Sequence, residues 1–277
     1  MSQKPHIIAV IGPTASGKSA KAVELAKERN GEVISVDSRQ VYRTLDIGTE
    51  KTSTEEMQRV PHHLIDIRDP ETPYSAGDFV DDATSLIAKL IAEGKTPVLA
   101  GGTHFYFDAL LYGLPGEPVN PDLRTLLEAR TEEDLFTELQ NKDPRRAARI
   151  DPQNKRRLVR ALEIIETHGT VPERERTEPA YDVEWVIIDL PKEELRARID
   201  ARLEQTMERG LVDEVRRTQA RVGDARLNEL GLEYRVIGEY LRGERSEASL
   251  LPTLSSRLWR YARQQKQWLR RLPPTAK

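Results

Sequence analysis

The chain has 277 residues, a net charge of −3, 32% charged and 38% apolar side chains. This balance excludes a disordered chain, and the length suits one large domain or two lobes with ample core. Cysteine is absent, which excludes disulfides and thiolate metal sites, and no apolar run nears the ~20 residues of a membrane span.

Met1 to His6 leads straight into an apolar run without the pattern of a secretory leader, so the cytoplasm is the expected location. His6-Ile-Ile-Ala-Val-Ile11 reads as a buried strand. Gly12-Pro-Thr-Ala-Ser-Gly17-Lys18-Ser19 follows at once, and Ala20 to Arg29 has helical texture. This is a G-x-x-x-x-G-K-S loop between strand and helix, the setting a P-loop requires. Its glycines let backbone N–H groups turn toward an anion, and the helix N-terminus adds its own donors and positive dipole end. Lys18 supplies a point charge, and the Ser19 hydroxyl can hold a magnesium ion.

Glu32-Val-Ile-Ser-Val36 reads as a second buried strand, which places Asp37-Ser-Arg-Gln40 at its carboxyl end, on the rim where open α/β sheets bind ligands. Asp37 at that position suits a turn cap and chemistry alike. Val41 to Lys51 is glycine-punctuated loop, and the adjacent His62 and His63 point to opposite faces of a strand, which suits local hydrogen bonding better than a metal. A helix is expected from Tyr74 to about Glu93, then a strand over Thr96-Pro-Val-Leu-Ala100 that ends in Gly101-Gly102-Thr103. Glycines there allow a close backbone approach to a ligand, and Thr103 brings a hydroxyl to the same rim. A helix from His104 to Leu111 follows.

Leu114 to Pro121 is a proline-rich link, and 117–182 reads as a helical insertion between core segments 1–116 and 183–277. Within it, Arg156 and Arg160 share a helix face with Arg157 alongside, while Leu158, Leu162 and Ile165 form the apolar side. Asp182 to Leu190 returns to the sheet, and the next helix carries Arg198 and Arg202 one turn apart. A further helix covers Leu211 to about Gln219, and a basic helix with Trp259, Tyr261 and Trp268 spans 257–271. That last helix suits RNA contact, or else its tryptophans are core anchors and only its arginines face out.

Charge is uneven. Leu251 to Lys277 holds seven basic and no acidic residues, and Lys142 to Arg160 holds eight basic residues against Asp143 and Asp151. Two basic clusters beside a phosphate loop point to a polyanion larger than a nucleotide.

Taken together, the ordered segments Gly12 to Ser19, Asp37 to Arg43, Asp46-Ile-Gly-Thr49, His62 to Pro70, Tyr74 to Phe79, Gly101 to Thr103, Asp143-Pro144, Ala148 to Ile150 and Arg157 to Glu163 resemble the bacterial tRNA dimethylallyltransferases. The resemblance implies an α/β fold, a P-loop NTPase-like parallel sheet flanked by helices with an all-helical insertion. It implies transfer of a dimethylallyl group from its diphosphate to N6 of the adenine on the 3′ side of the tRNA anticodon, by a monomer with magnesium and no membrane. Gly12, Thr14, Ala15, Ser16, Gly17, Lys18 and Ser19 would hold the diphosphate, with Ser19 on the metal. Asp37 would be the general base, Thr103 would assist at the bridging oxygen, and Arg202 would bind diphosphate. Asp37, Ser38, Arg39, Gln40 and Thr103 would meet the target base, and Arg124, Arg156, Arg157, Leu158, Val159 and Arg160 the tRNA. An ATP-dependent small-molecule kinase and a nucleotide-gated RNA-binding protein are the rival readings of the same loop.

Overall fold

Five strands, β1 (His6–Ile11), β2 (Gly31–Ser35), β3 (His62–His63), β4 (Thr96–Gly101) and β5 (Asp182–Ile187), lie parallel in the order β3-β2-β4-β1-β5. The computed structural model describes residues 4–114, 120–172, 178–270 and 272. Covered on both faces, the inner strands can be almost wholly apolar. Ile7, Ala9 and Ile11 join one core cluster and Ile8 and Val10 another, as the two-residue repeat of a strand demands.

Twelve helices are described: α1 (Lys18–Glu28), α2 (Thr54–Met57), α3 (Ala76–Ala92), α4 (His104–Tyr112), α5 (Pro121–Glu128), α6 (Glu132–Lys142), α7 (Pro144–Ala147), α8 (Lys155–His168), α9 (Lys192–Glu208), α10 (Leu211–Leu227), α11 (Leu232–Leu241) and α12 (Leu250–Leu269). Helix α1 covers the Ile8 face through Ala22, Val23, Leu25 and Ala26. Residues of α3, α4 and α9 to α12, among them Phe79, Phe107, Ile199, Val215, Ile237 and Leu254, cover the other. Helix α3 starts where Ser75 and Asp78 form a reciprocal capping box.

The register aligns the carboxyl ends of the strands. Ile11 pairs with Gly101 and with Ile187, and Ser35 pairs with Ala100. The P-loop, Asp37 and Thr103 therefore leave the sheet at one rim.

The chain divides into two compact units, Met1–Tyr112 with Pro179–Lys277, and Gly113–Glu178. The second unit begins and ends a few residues before the 117–182 expected from the proline-rich link. It contains α5 to α8, with Asn120, Thr131, Asp143 and Asn154 capping their N-termini. Its own core includes Leu135, Leu139, Leu158, Val159 and Leu162. Helix α12 starts earlier than its basic stretch suggests, at Leu250, and Pro252 is accommodated in its first turn, where no N–H is needed. Helix α10 runs on past Gln219 to Leu227, across a break in helical geometry at Gly223.

One buried carboxylate organises the loop over 45–51. Glu214 of α10 accepts the backbone N–H groups of Asp46, Ile47 and Gly48 at 2.9, 2.7 and 2.8 Å, and the Tyr234 hydroxyl at 2.6 Å. Glu214→Ala would strand three backbone donors, and at ~1–3 kcal/mol per unmet donor a loss of about 3–9 kcal/mol is expected, toward the lower end because Asp46 is exposed to water. Amide hydrogen exchange should show the 46–48 amides losing protection while β1 and β4 keep theirs; unchanged protection at 46–48 would contradict this role.

Candidate active site

The loop after β1 forms an anion cradle. Ala15 and Gly17 take positive φ values of 62° and 89°, which turn successive N–H groups inward. Gly12 tolerates no side chain, since a Cβ there would stand 2.6 Å from Ser16 Oγ and 2.7 Å from the Ile188 carbonyl oxygen. The Ser16 hydroxyl is buried without a hydrogen-bond partner among the described residues, a donor that an anionic oxygen would satisfy. Lys18 opens α1 and is half-buried. Burial pushes its ammonium down to about 8; the nearby Arg202 charge adds to that fall, and Asp37 opposes it. Lys18, Asp37 and Arg202 thus share one electrostatic site.

Arg202 reaches the cradle from α9. Its Nη2 donates to Thr14 Oγ1 at 2.6 Å, and its Nε lies 3.6 Å from Glu50 Oε1. The Thr206 hydroxyl holds the same Glu50 oxygen at 2.5 Å. Glu233, half-buried at the start of α11, completes the group of charges. Burial pushes its carboxyl up to about 7, with Arg202 opposing and Glu50 and Asp37 reinforcing.

Asp37 lies just past β2. Its Oδ1 accepts the N–H of Arg39 at 2.8 Å and, more weakly, of Gln40 at 3.4 Å, so it caps its own turn. The adjoining Ser38 N–H donates to Thr103 Oγ1 at 3.0 Å, which ties the β2 and β4 ends together. Gln40 has both ends of its amide engaged within the protein: Oε1 accepts from Ser35 Oγ at 3.1 Å, and Nε2 donates to the Glu50 carbonyl at 3.1 Å. It supports the loop that carries Glu50, a role the expectation of base contact did not include.

Beside Thr103 opens a cavity of about 380 Å³, lined by His104, Phe105, Tyr261, Gln264 and Trp268 among others. His104 stacks on Trp268 at 4.2 Å, and burial with the Lys18 charge holds its ring down to about 4, hence neutral at pH 7. Trp268 donates its indole N–H to Asp108, and Trp259 lies under the Arg196 guanidinium. Both tryptophans pack against the core, so they are anchors, while Arg260 and Arg263 are exposed.

In the second unit the expected nucleic-acid residues separate. Arg156 and Arg157 are exposed. Leu158 and Val159, expected at tRNA, are buried at 0% and 2% exposure; they face the helical core, and their side chains are not available to RNA. Arg124 makes a two-pronged pair with the buried Glu163 at 2.7 and 2.8 Å, and Arg160 adds a third bond at 3.0 Å. Arg124 thereby ties α5 to α8, whereas the Arg160 bond to Glu163 is made within α8.

Glu50, Glu233 and Gln265 are site residues that sequence reasoning missed. Glu50 sat in a loop read only for its glycines, and nothing local marks the other two. For magnesium, a hard cation that keeps several waters, the exposed Ser19 hydroxyl in the first turn of α1 is a fitting donor. No group of three carboxylates or histidines among the described residues offers a dedicated metal cage. No described helix is long and apolar enough to cross a membrane.

A family model described as IPP transferase matches residues 40–272. A tRNA dimethylallyltransferase of Thermomicrobium roseum is 45% identical across 98% of this chain and 85% of its own length. Another from Roseiflexus castenholzii is 42% identical across 96% and 90%. Among solved structures, the tRNA isopentenylpyrophosphate transferase of Bacillus halodurans superposes with a TM-score of 0.73 at 38% identity, covering 97% of this chain and 88% of that one. A eukaryotic dimethylallyltransferase acting on tRNA gives a TM-score of 0.79 at 26% identity, covering 95% and 69%. With a P-loop sheet whose rim carries this constellation, and with relatives that match it almost end to end, the chain belongs to the IPP transferase family.

Proposed function

We propose that the chain transfers the dimethylallyl group of dimethylallyl diphosphate to N6 of the adenine on the 3′ side of a tRNA anticodon. The observation that carries this reading is the meeting of Asp37, Lys18, Arg202 and Thr103 at one rim. A carboxylate stands there beside an anion cradle whose cations answer a leaving group.

In the reaction, N6 of the adenine attacks C1 of the allyl group while the bond from C1 to the bridging oxygen breaks. Asp37 accepts the N6 proton, because the exocyclic amine, its lone pair drawn into the ring, is a weak nucleophile until that proton leaves. Thr103 Oγ1 accepts the Ser38 N–H at 3.0 Å and donates only a long 3.4 Å bond to Ser38 Oγ, so its hydroxyl can turn to donate to the bridging oxygen. Inward N–H groups, Lys18 and Arg202 receive the negative charge that develops on the departing diphosphate. Ser19 would hold magnesium, which supplies further neutralisation of that charge. Arg156 and Arg157, exposed on α8, serve as phosphate contacts for the RNA.

Labelled dimethylallyl diphosphate incubated with unmodified tRNA tests the reading, and label is expected in the RNA. Tighter binding of ATP with phosphate transfer would favour a kinase instead. Asp37→Ala should lose ~10²–10⁴ in turnover with tRNA affinity unchanged; parental turnover would remove Asp37 as the base.

The Lys18 ammonium, held to about 8, gives a pH prediction. The charged form binds diphosphate and is present below that value. As pH rises through about 8, kcat/KM for the donor should fall, approaching tenfold per unit; a profile flat to pH 10 would contradict the assignment. Arg156→Ala/Arg157→Ala should weaken tRNA binding and flatten its salt dependence by up to two phosphate contacts. An unaltered salt slope would place the RNA elsewhere.

A further inference from the structure

The cradle and Thr103 arrive on different strands, and a third element joins them. Gln265 lies on α12 and is 3% exposed. Its Oε1 accepts the backbone N–H of Thr14 at 2.8 Å, and its Nε2 donates to the Gly102 carbonyl at 3.0 Å. Only one orientation of the amide satisfies both, since Thr14 N can only donate and the Gly102 oxygen can only accept. The Tyr261 hydroxyl lies 3.4 Å from the same carbonyl. Gly102 leaves room for this contact: a Cβ there would stand 2.6 Å from Gln265 Nε2.

We propose that Gln265 is a positioning residue that fixes the spacing between the anion cradle and the Thr103 hydroxyl. Thr14, whose side chain takes the Arg202 guanidinium, is pinned at one end of the amide. Gly102, the residue before Thr103, is pinned at the other. A diphosphate seated in the cradle meets the Thr103 hydroxyl at its bridging oxygen only if these two segments keep their separation. A misplacement of ~1 Å in such an arrangement costs about a hundredfold in rate. The assignment rests on the transferase reading above.

Two substitutions separate positioning from general stability. Gln265→Glu keeps the acceptor for Thr14 but sets a carboxylate oxygen against the Gly102 carbonyl. When protonated, that carboxyl donates again and restores the bridge. Relative to the parent at each pH, Q265E should lose about 10- to 100-fold in kcat at pH 8 and recover most of it near pH 5.5, with KM for tRNA unmoved. Gln265→Leu should lose about a hundredfold at every pH. Parental kcat in both variants would overturn the proposal. So would a loss in Q265E that shows no recovery at low pH and follows a lowered melting temperature. If the unaltered chain transfers no dimethylallyl group to tRNA, the transferase reading fails and the reaction role of Gln265 falls with it. The bridge itself is then read from Thr14 amide exchange, expected slow in the parent and fast in Q265L; equal rates would remove the bridge as well.

Discussion

The site depends on positive charge gathered where water is scarce. Backbone N–H groups of the loop after β1 converge, Lys18 stands half-buried at the head of α1, and Arg202 rests on the Thr14 hydroxyl. Each of these is costly without an anion, as the fall of the Lys18 ammonium to about 8 records. The counter-charges nearby do not cancel it. Glu50 stands 3.6 Å from Arg202, and burial pushes the Glu233 carboxyl up to about 7, toward its neutral form. A ligand carrying several negative charges on one end, as a diphosphate does, is what this arrangement stabilises. The exposed Ser19 hydroxyl, a fitting donor for magnesium, would serve the same purpose.

The cradle is held by elements remote in sequence. Glu214 clamps the loop that carries Glu50, and Glu50 in turn stands against Arg202. Gln40 supports that loop from the β2 side, and Gln265 joins the cradle to the β4 turn from α12. Thus α9, α10 and α12 contribute polar side chains that orient loops, while their apolar faces fill the core on one side of the sheet. Core packing and site geometry are set by the same helices.

Much of this was legible in the chain. The P-loop pattern between strand and helix fixed the cradle, and the carboxyl-end rule put Asp37 and Thr103 on its rim. The helix expected from Tyr74 to about Glu93 is found over Ala76–Ala92, because its start is set by the local Ser75 and Asp78 caps. What could not be read is pairing across long separations: Thr14 and Gln265 are 251 residues apart, and no local pattern announces their bond. Leu158 and Val159 show the opposite error. Motif resemblance assigned them to RNA by position, whereas helical periodicity already placed Leu158 on the apolar face, and periodicity was right because burial decides where a leucine points. Gln40 shows what such resemblance leaves out: its amide is engaged at both ends in supporting the loop that carries Glu50. For the C-terminal tryptophans, of the two readings the sequence left open, core anchoring prevailed.

The most direct test is a solved structure of the chain with the unreactive thiolo analogue of dimethylallyl diphosphate and magnesium. The account requires the diphosphate to accept the N–H groups of Ala15 to Ser19 and the Arg202 guanidinium. It also requires the bridging atom beside Thr103 and the Asp37 carboxylate facing C1 from the opposite side. A diphosphate bound away from the loop, or an Asp37 carboxylate turned from the allyl carbon, would contradict it.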